Sequence, residues 1–148
     1  MIARLRQLPT TVWLLGAISL LNDAASDLIY PLVPLYLASV LMAGPRALGL
    51  IEGVAEAVSS LLKLLAGVIT DRTGSAKRWV VTGYALAALS RPLLAFAGSW
   101  PVVLGLRVTD RIGKGVRTAP RDALLAHSVA ADQRGLAFGL HRAMDNAG

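Results

Sequence analysis

Long apolar stretches alternate with short polar links along this chain. The apolar stretches cover about residues 9–41, 47–70, 79–98 and 101–127, and a fifth begins near 135 and reaches 148. A helix that crosses a bilayer needs ~20 mostly apolar residues, with a range of ~17–25. The second and third stretches match that length. The first and fourth are longer and interrupted by polar residues, which predicts tilt, a kink or a portion beyond the bilayer. The expected fold is an all-α membrane protein, a helical bundle of four transmembrane helices plus the start of a fifth. "RGLAFGLHRAMDNAG", from Arg134, ends before a spanning length has accumulated. The chain is therefore expected to be the first part of a longer protein.

The opening "MIARLRQLPTTVWLLGAISLLNDAAS" also has the marks of a cleaved secretory leader: a basic start, an apolar core and small residues at Ala24 and Ala25. The apolar pattern resumes at Leu28 and three further stretches follow, which favours a retained first span.

Composition agrees with this pattern. Hydrophobic residues make up 55% of the chain and charged residues 16%, against about 45–50% and about 25% in soluble domains. The net charge of +6 would suggest a nucleic-acid partner in a soluble protein. Here the cations are interleaved with apolar stretches, so no nucleic-acid partner is expected. They also sort by link. Arg4 and Arg6 precede the first stretch, Arg46 follows it, and Arg72, Lys77 and Arg78 follow the second. The link after the third has none, and Arg134 follows the fourth. Cytoplasmic links carry the excess of Lys and Arg, so the N-terminus is expected to be cytoplasmic in a multi-pass protein of the cell membrane. There is no cysteine. The two histidines lie at no ligand spacing and no span offers a Ser–His–Asp set, so no metal, no cofactor and no enzymatic activity are expected.

The polar residues inside the stretches carry the candidate chemistry. Asn22, Asp23 and Asp27 interrupt the first, and Pro31 and Pro34 follow and should bend it. Asp23 and Asp27 are one turn apart and share a face. Glu52, Glu56, Ser59 and Lys63 fall on one stripe of the second, and Arg91 precedes Pro92 in the third. In the fourth, "LRVTDRIGKGVRTAPRDALL" places Arg107, Asp110, Arg111, Lys114, Arg117, Thr118, Arg121 and Asp122 within an arc of about 140°. Val108, Ile112, Val116, Ala119 and Ala123 lie opposite. A charge at the centre of a membrane helix costs at least ~2.5–3.5 kcal/mol, so this stripe must face protein or a water-filled cavity. The carboxylates of the first two helices are expected to oppose it. Asp23 and Asp27 are the candidate proton-coupling groups, with Arg107 as their partner. Arg107, Asp110, Arg111, Lys114 and Arg117 are the candidate solute-binding groups, because arginine suits bidentate recognition of anions. Arg121 and Asp122 lie nearer the cytoplasmic end as candidate gating groups. His141, Arg142 and Asp145 read as a cytoplasmic charge cluster.

"GVITDRTGSAKRW" lies at the end of the second stretch. Its Gly67, Asp71, Arg72 and Gly74 match the G-x-x-x-D-R-x-G loop of the major facilitator superfamily, which the chain resembles. In that family two basic residues follow directly; here Ser75 and Ala76 do, with Lys77 and Arg78 displaced. In the fourth stretch "RVTDRIGKG" resembles the family's R-x-x-Q-G-x-G-x-G through Arg107, Gly113 and Gly115, with Asp110 and Arg111 departing from it. "QRGLAFGLHRAMDNAG" resembles the start of its fifth helix, with Gly148 near the glycine- and proline-rich motif there. The resemblance implies two six-helix halves, alternating access, and a midplane site lined by the first and fourth helices. It also implies that the loop motif (Gly67, Asp71, Arg72, Gly74, Lys77, Arg78) contacts the other half.

The function expected is transmembrane transport of a small polar or anionic solute by alternating access, coupled to protons. The expected partners are the lipid bilayer, solute and protons, and a C-terminal half of the transporter. The alternative is a small helical membrane subunit or scaffold whose buried charges are structural.

Overall fold

The structure is a computed structural model in which Leu5 and residues 7–147 are described. Arg4, Arg6 and Gly148 lie outside the described residues. From Thr10 onward, among the described residues, six α-helices follow one another: α1 (Thr10–Ile29), α2 (Leu32–Ser39), α3 (Pro45–Thr73), α4 (Ala76–Leu93), α5 (Trp100–Ser128) and α6 (Arg134–Ala147). Short 3-10 turns precede α5 (Leu94–Phe96) and α6 (Ala131–Gln133).

Local chemistry sets the boundaries. Pro31 supplies no N–H, so the ladder lapses at Tyr30 and Pro31. Pro31 keeps helical angles (φ −71°, ψ −19°), and the chain resumes as α2. Pro45 occupies the first turn of α3 after an extended Gly44, where a missing N–H is harmless. Gly74 ends α3 in the left-handed region (φ 62°), and its N–H bonds Thr70 O at 2.9 Å. Ser75 turns the chain into α4, accepting from Trp79 Nε1 at 3.1 Å.

α5 is the centre of the bundle. It packs extensively on α3 and α4, while α1 packs mainly on α6. No residue of α5 from Arg107 to Ala126 is exposed. The apolar side predicted opposite the charged stripe is therefore covered too: Val116 is buried, and Ala119 faces Gly67 of α3. The two glycines of α5 explain how closely its neighbours approach. A Cβ on Gly113 would lie 2.5 Å from Gly83 O of α4, and one on Gly115 would lie 2.7 Å from Ser59 O of α3. By contrast, a Cβ on Gly67 would meet Ala119 Cβ at an ordinary 3.5 Å. The close approach of α3 to α5 is at Gly115, not at Gly67.

The bundle has two apolar ends and a polar middle. Leu8, Val12, Leu15, Val80, Leu125, Val129 and Ala137 form the core at one end. Val33, Leu37, Ile51, Ala97 and Val103 form it at the other. Outside, Leu14, Leu21, Leu28 and Leu35 repeat every seventh residue and are all more than half exposed. Three segments are long and apolar enough to cross a membrane: Thr10–Ser39, Pro45–Thr73 and Ala76–Phe96. α5 equals α3 in length, but its charges, turned inward, lower its hydropathy.

Overpacking a tight contact costs about 1–3 kcal/mol. Gly113→Ala and Gly83→Ala should each lower the thermal unfolding midpoint in detergent by several degrees, while Gly67→Ala leaves it unchanged. Equal effects at all three sites would contradict the contact geometry.

Candidate functional site

The polar middle of the bundle is built around α5. Its first layer joins α5 to α3. Arg107 grips Glu52 with two nitrogens: Nε to Oε1 at 3.0 Å, and Nη2 to Oε1 at 2.8 Å and Oε2 at 3.0 Å. The Tyr30 ring lies over this guanidinium at 5.5 Å. One turn along α5, Asp110 accepts from Arg91 Nε of α4 at 3.0 Å. Arg91 also donates through Nη1 to the backbone oxygen of Asn22 in α1 at 2.7 Å. One arginine thus connects three helices.

The next layers join α5 to α1 and α6. Arg117 stacks on the Tyr84 ring at 4.4 Å and lies 3.7 Å from Asp23. Arg121 donates from one nitrogen to Ser19 Oγ at 2.7 Å and to Asp145 at 2.9 Å. The hydroxyls of Ser19 and Tyr84 hydrogen-bond at 2.9 Å. Arg107, Asp110, Arg117 and Arg121 are all buried. Paired in this way, these ions avoid the full cost of desolvation.

Beside the paired layers lies a polar cavity of about 410 Å³. Asp23, Ser26, Asp27 and Tyr30 line it from α1, Arg111 and Lys114 from α5, and Asp145 and Asn146 from α6. Asp23 and Asp145 thus bring carboxyl groups from two helices to one cavity.

The structure rearranges several expected pairings. Arg107 does not partner Asp23 or Asp27; it is taken by Glu52, and Asp23 faces Arg117. Helical rise accounts for this. The N-terminal residues before and within α1 share an apolar core with the end of α5. From those ends, at 1.5 Å per residue, Asp23 stands about 20 Å along the bundle, Arg117 about 16 Å and Arg107 about 31 Å. Counting from the loop ends would have found the right partner. Of the five candidate binding residues, Arg111 and Lys114 line the cavity with both aspartates. Arg107, Asp110 and Arg117 are engaged in the paired layers. Asp145 leaves the cytoplasmic cluster assigned to it and joins the cavity, while His141 is buried beside the apolar core. Ser19, Tyr30 and Tyr84 carried no signal in the sequence, because a lone hydroxyl in an apolar run is common. The loop residues Asp71, Arg72, Gly74, Lys77 and Arg78 are exposed. Among the described residues no three potential metal ligands come together.

A sequence profile described as Major Facilitator Superfamily matches residues 15–148. An uncharacterised MFS-type transporter of Methanocaldococcus jannaschii is 38% identical over 143 residues, 97% of this chain and 35% of that protein. An uncharacterised protein of Mycobacterium tuberculosis is 34% identical over 137 residues, 93% of this chain and 33% of its own length. The multidrug resistance protein MdtH of Cronobacter sakazakii is 31% identical over 121 residues, 81% of this chain and 30% of its own. The chain spans about a third of the length of the curated relatives it matches.

Removing one member of a buried ion pair costs about 3–5 kcal/mol, because its partner stays charged and desolvated. Glu52→Gln should therefore destabilise the folded protein by about 3 kcal/mol, the lower end, since the Glu52 side chain keeps 26% exposure. The double change Glu52→Leu with Arg107→Met should recover part of that loss. Chemical unfolding in detergent measures both; a double variant no more stable than Glu52→Gln would count against a paired ion as the source.

Proposed function

Because the chain belongs to the major facilitator superfamily, we propose that it forms the first part of a proton-coupled secondary transporter for a small polar or anionic solute. Membrane transport by a multi-pass helical protein follows from the family; the coupling and the solute are our reading. The observation that carries it is the polar cavity, where Asp23 and Asp27 of α1 face Arg111 and Lys114 of α5. Ionisable groups inside a membrane bundle mark solute and proton pathways. Asp23 suits a proton carrier. It lies beside a second carboxyl group and near a cation, so a change in water access can load or empty it.

In this reading the protein resides in the cell membrane with its N-terminus in the cytoplasm. Its partners are the bilayer, the solute with protons, and a C-terminal half that closes the cavity in alternating access. The exposed Asp71, Arg72, Lys77 and Arg78 meet that half in one access state. Arg111 and Lys114 provide the solute's anionic contacts, while Arg107, Asp110 and Arg117 fix the helices that carry the cavity.

A second reading, a membrane subunit with purely structural charges, is favoured by the pairing of Arg91, Arg107 and Arg121. The two readings separate at the cavity rather than at those pairs.

In the full-length protein reconstituted in liposomes, Asp23→Asn together with Asp27→Asn should reduce pH-gradient-driven flux at least about 100-fold, the scale of losing a positioned proton carrier. Protein yield and unfolding midpoint should stay near those of the parent. Undiminished coupled flux, or a protein that no longer folds, would favour structural charges.

A further inference from the structure

The polar cavity holds charges of both signs that the described residues leave unmatched. Among the described residues, Lys114 and Asp27 enter no ion pair. Arg111 is also undersatisfied. Its buried Nε has no hydrogen-bond partner, and the oxygens of Glu52 and Glu56 come no closer than 3.9 and 4.0 Å. The cations lie on α5 and the anion on α1, and all three line one space. Three pairs elsewhere in this bundle close to 2.8–3.0 Å. Here they stand apart, with room between them.

The guest that suits such a space is constrained by charge. An anion alone would satisfy Arg111 and Lys114 and leave Asp27 facing a second negative group. A cation alone would satisfy Asp27 and meet two like charges. A molecule with both groups satisfies each wall, and a buried unpartnered donor such as Arg111 Nε selects against a ligand that leaves it unsatisfied. We propose that the cavity takes a small amino-acid-like zwitterion, its carboxylate on Arg111 and Lys114 and its ammonium on Asp27. Arginine presents two N–H groups in a plane that fits a carboxylate, and lysine adds a point charge beside it. The volume of about 410 Å³ is in the range of small-molecule sites, about 300–1,000 Å³. Asp23, held near Arg117, stays available to the proton. The proposal rests on the transport reading above for its site and narrows its solute.

The test uses the purified full-length protein and matched probes: ω-amino acids from glycine to 6-aminohexanoate, each with the fatty-acid anion and the alkylamine of equal length. Calorimetric titration should show at least one amino acid binding about ten-fold tighter than both of its singly charged matches. Asp27→Asn should reduce that amino acid to the level of the fatty-acid anion, and Lys114→Gln should bring it close to the alkylamine. A singly charged probe that binds as tightly as every zwitterion overturns the proposal. So does an absence of binding by all probes, or a zwitterion preference that survives both substitutions. Uptake into liposomes then separates the two claims. If the fatty-acid anion crosses faster than in protein-free liposomes and the amino acid does not, transport stands and the zwitterion falls. If the amino acid binds tightly and never crosses, the site stands and transport falls.

Discussion

A guanidinium in a low-dielectric interior needs a nearby carboxylate or aromatic face to offset its desolvation, and α5 carries several of them through the middle of this bundle. Most of the architecture serves that constraint. α3 contributes Glu52, α4 contributes Arg91 to share Asp110, and α1 and α6 supply Asp23, Ser19 and Asp145. α5 must be enclosed for these contacts to form, and from Arg107 to Ala126 none of its residues is exposed. The leucines displaced from the interior go outward, where hydrocarbon suits them. The usual distribution of a soluble domain is inverted: buried arginines and exposed leucines.

Such pairs contribute less to net stability than their geometry suggests, since desolvation offsets much of the attraction. Their larger effect is on register. Arg107 reaches Glu52 with three contacts of 3.0 Å or less, a geometry lost if α3 slides by one residue. The two tyrosines over Arg107 and Arg117 add a favourable cation–π contact without another charge. The paired layers therefore hold the helices in place, and the unpaired remainder at the cavity is left for chemistry.

The helices were largely legible in the sequence, because apolar length and proline or glycine punctuation are local properties. Gly74 and Pro45 mark ends that the structure places within a few residues of the expected ones. The inward-facing stripe of α5 was legible for the same reason: an arc of charge on a membrane helix has only one stable direction. Partnership was not. Assigning Arg107 to Asp23 ignored the offset along antiparallel helices, and only the shared apolar ends fix that offset. Asp145 was misplaced because its helix had too few apolar residues to reveal how far into the bundle it reaches. Gly113 and Gly115 lie two residues apart, and each meets a different neighbour.

That last arrangement has a mechanical meaning. On α5, backbone touches backbone at Gly113 toward α4 and at Gly115 toward α3. The two contacts face different ways within one turn, so turning or sliding α5 drives it into one neighbour or the other. α3, α4 and α5 are keyed together as one block. The seam toward α1 is of another kind: Arg91, Arg117 and Arg121 cross it with long side chains, which pivot without losing their grip. A bundle with one seam locked and one hinged on flexible struts concentrates its compliance where the polar cavity lies.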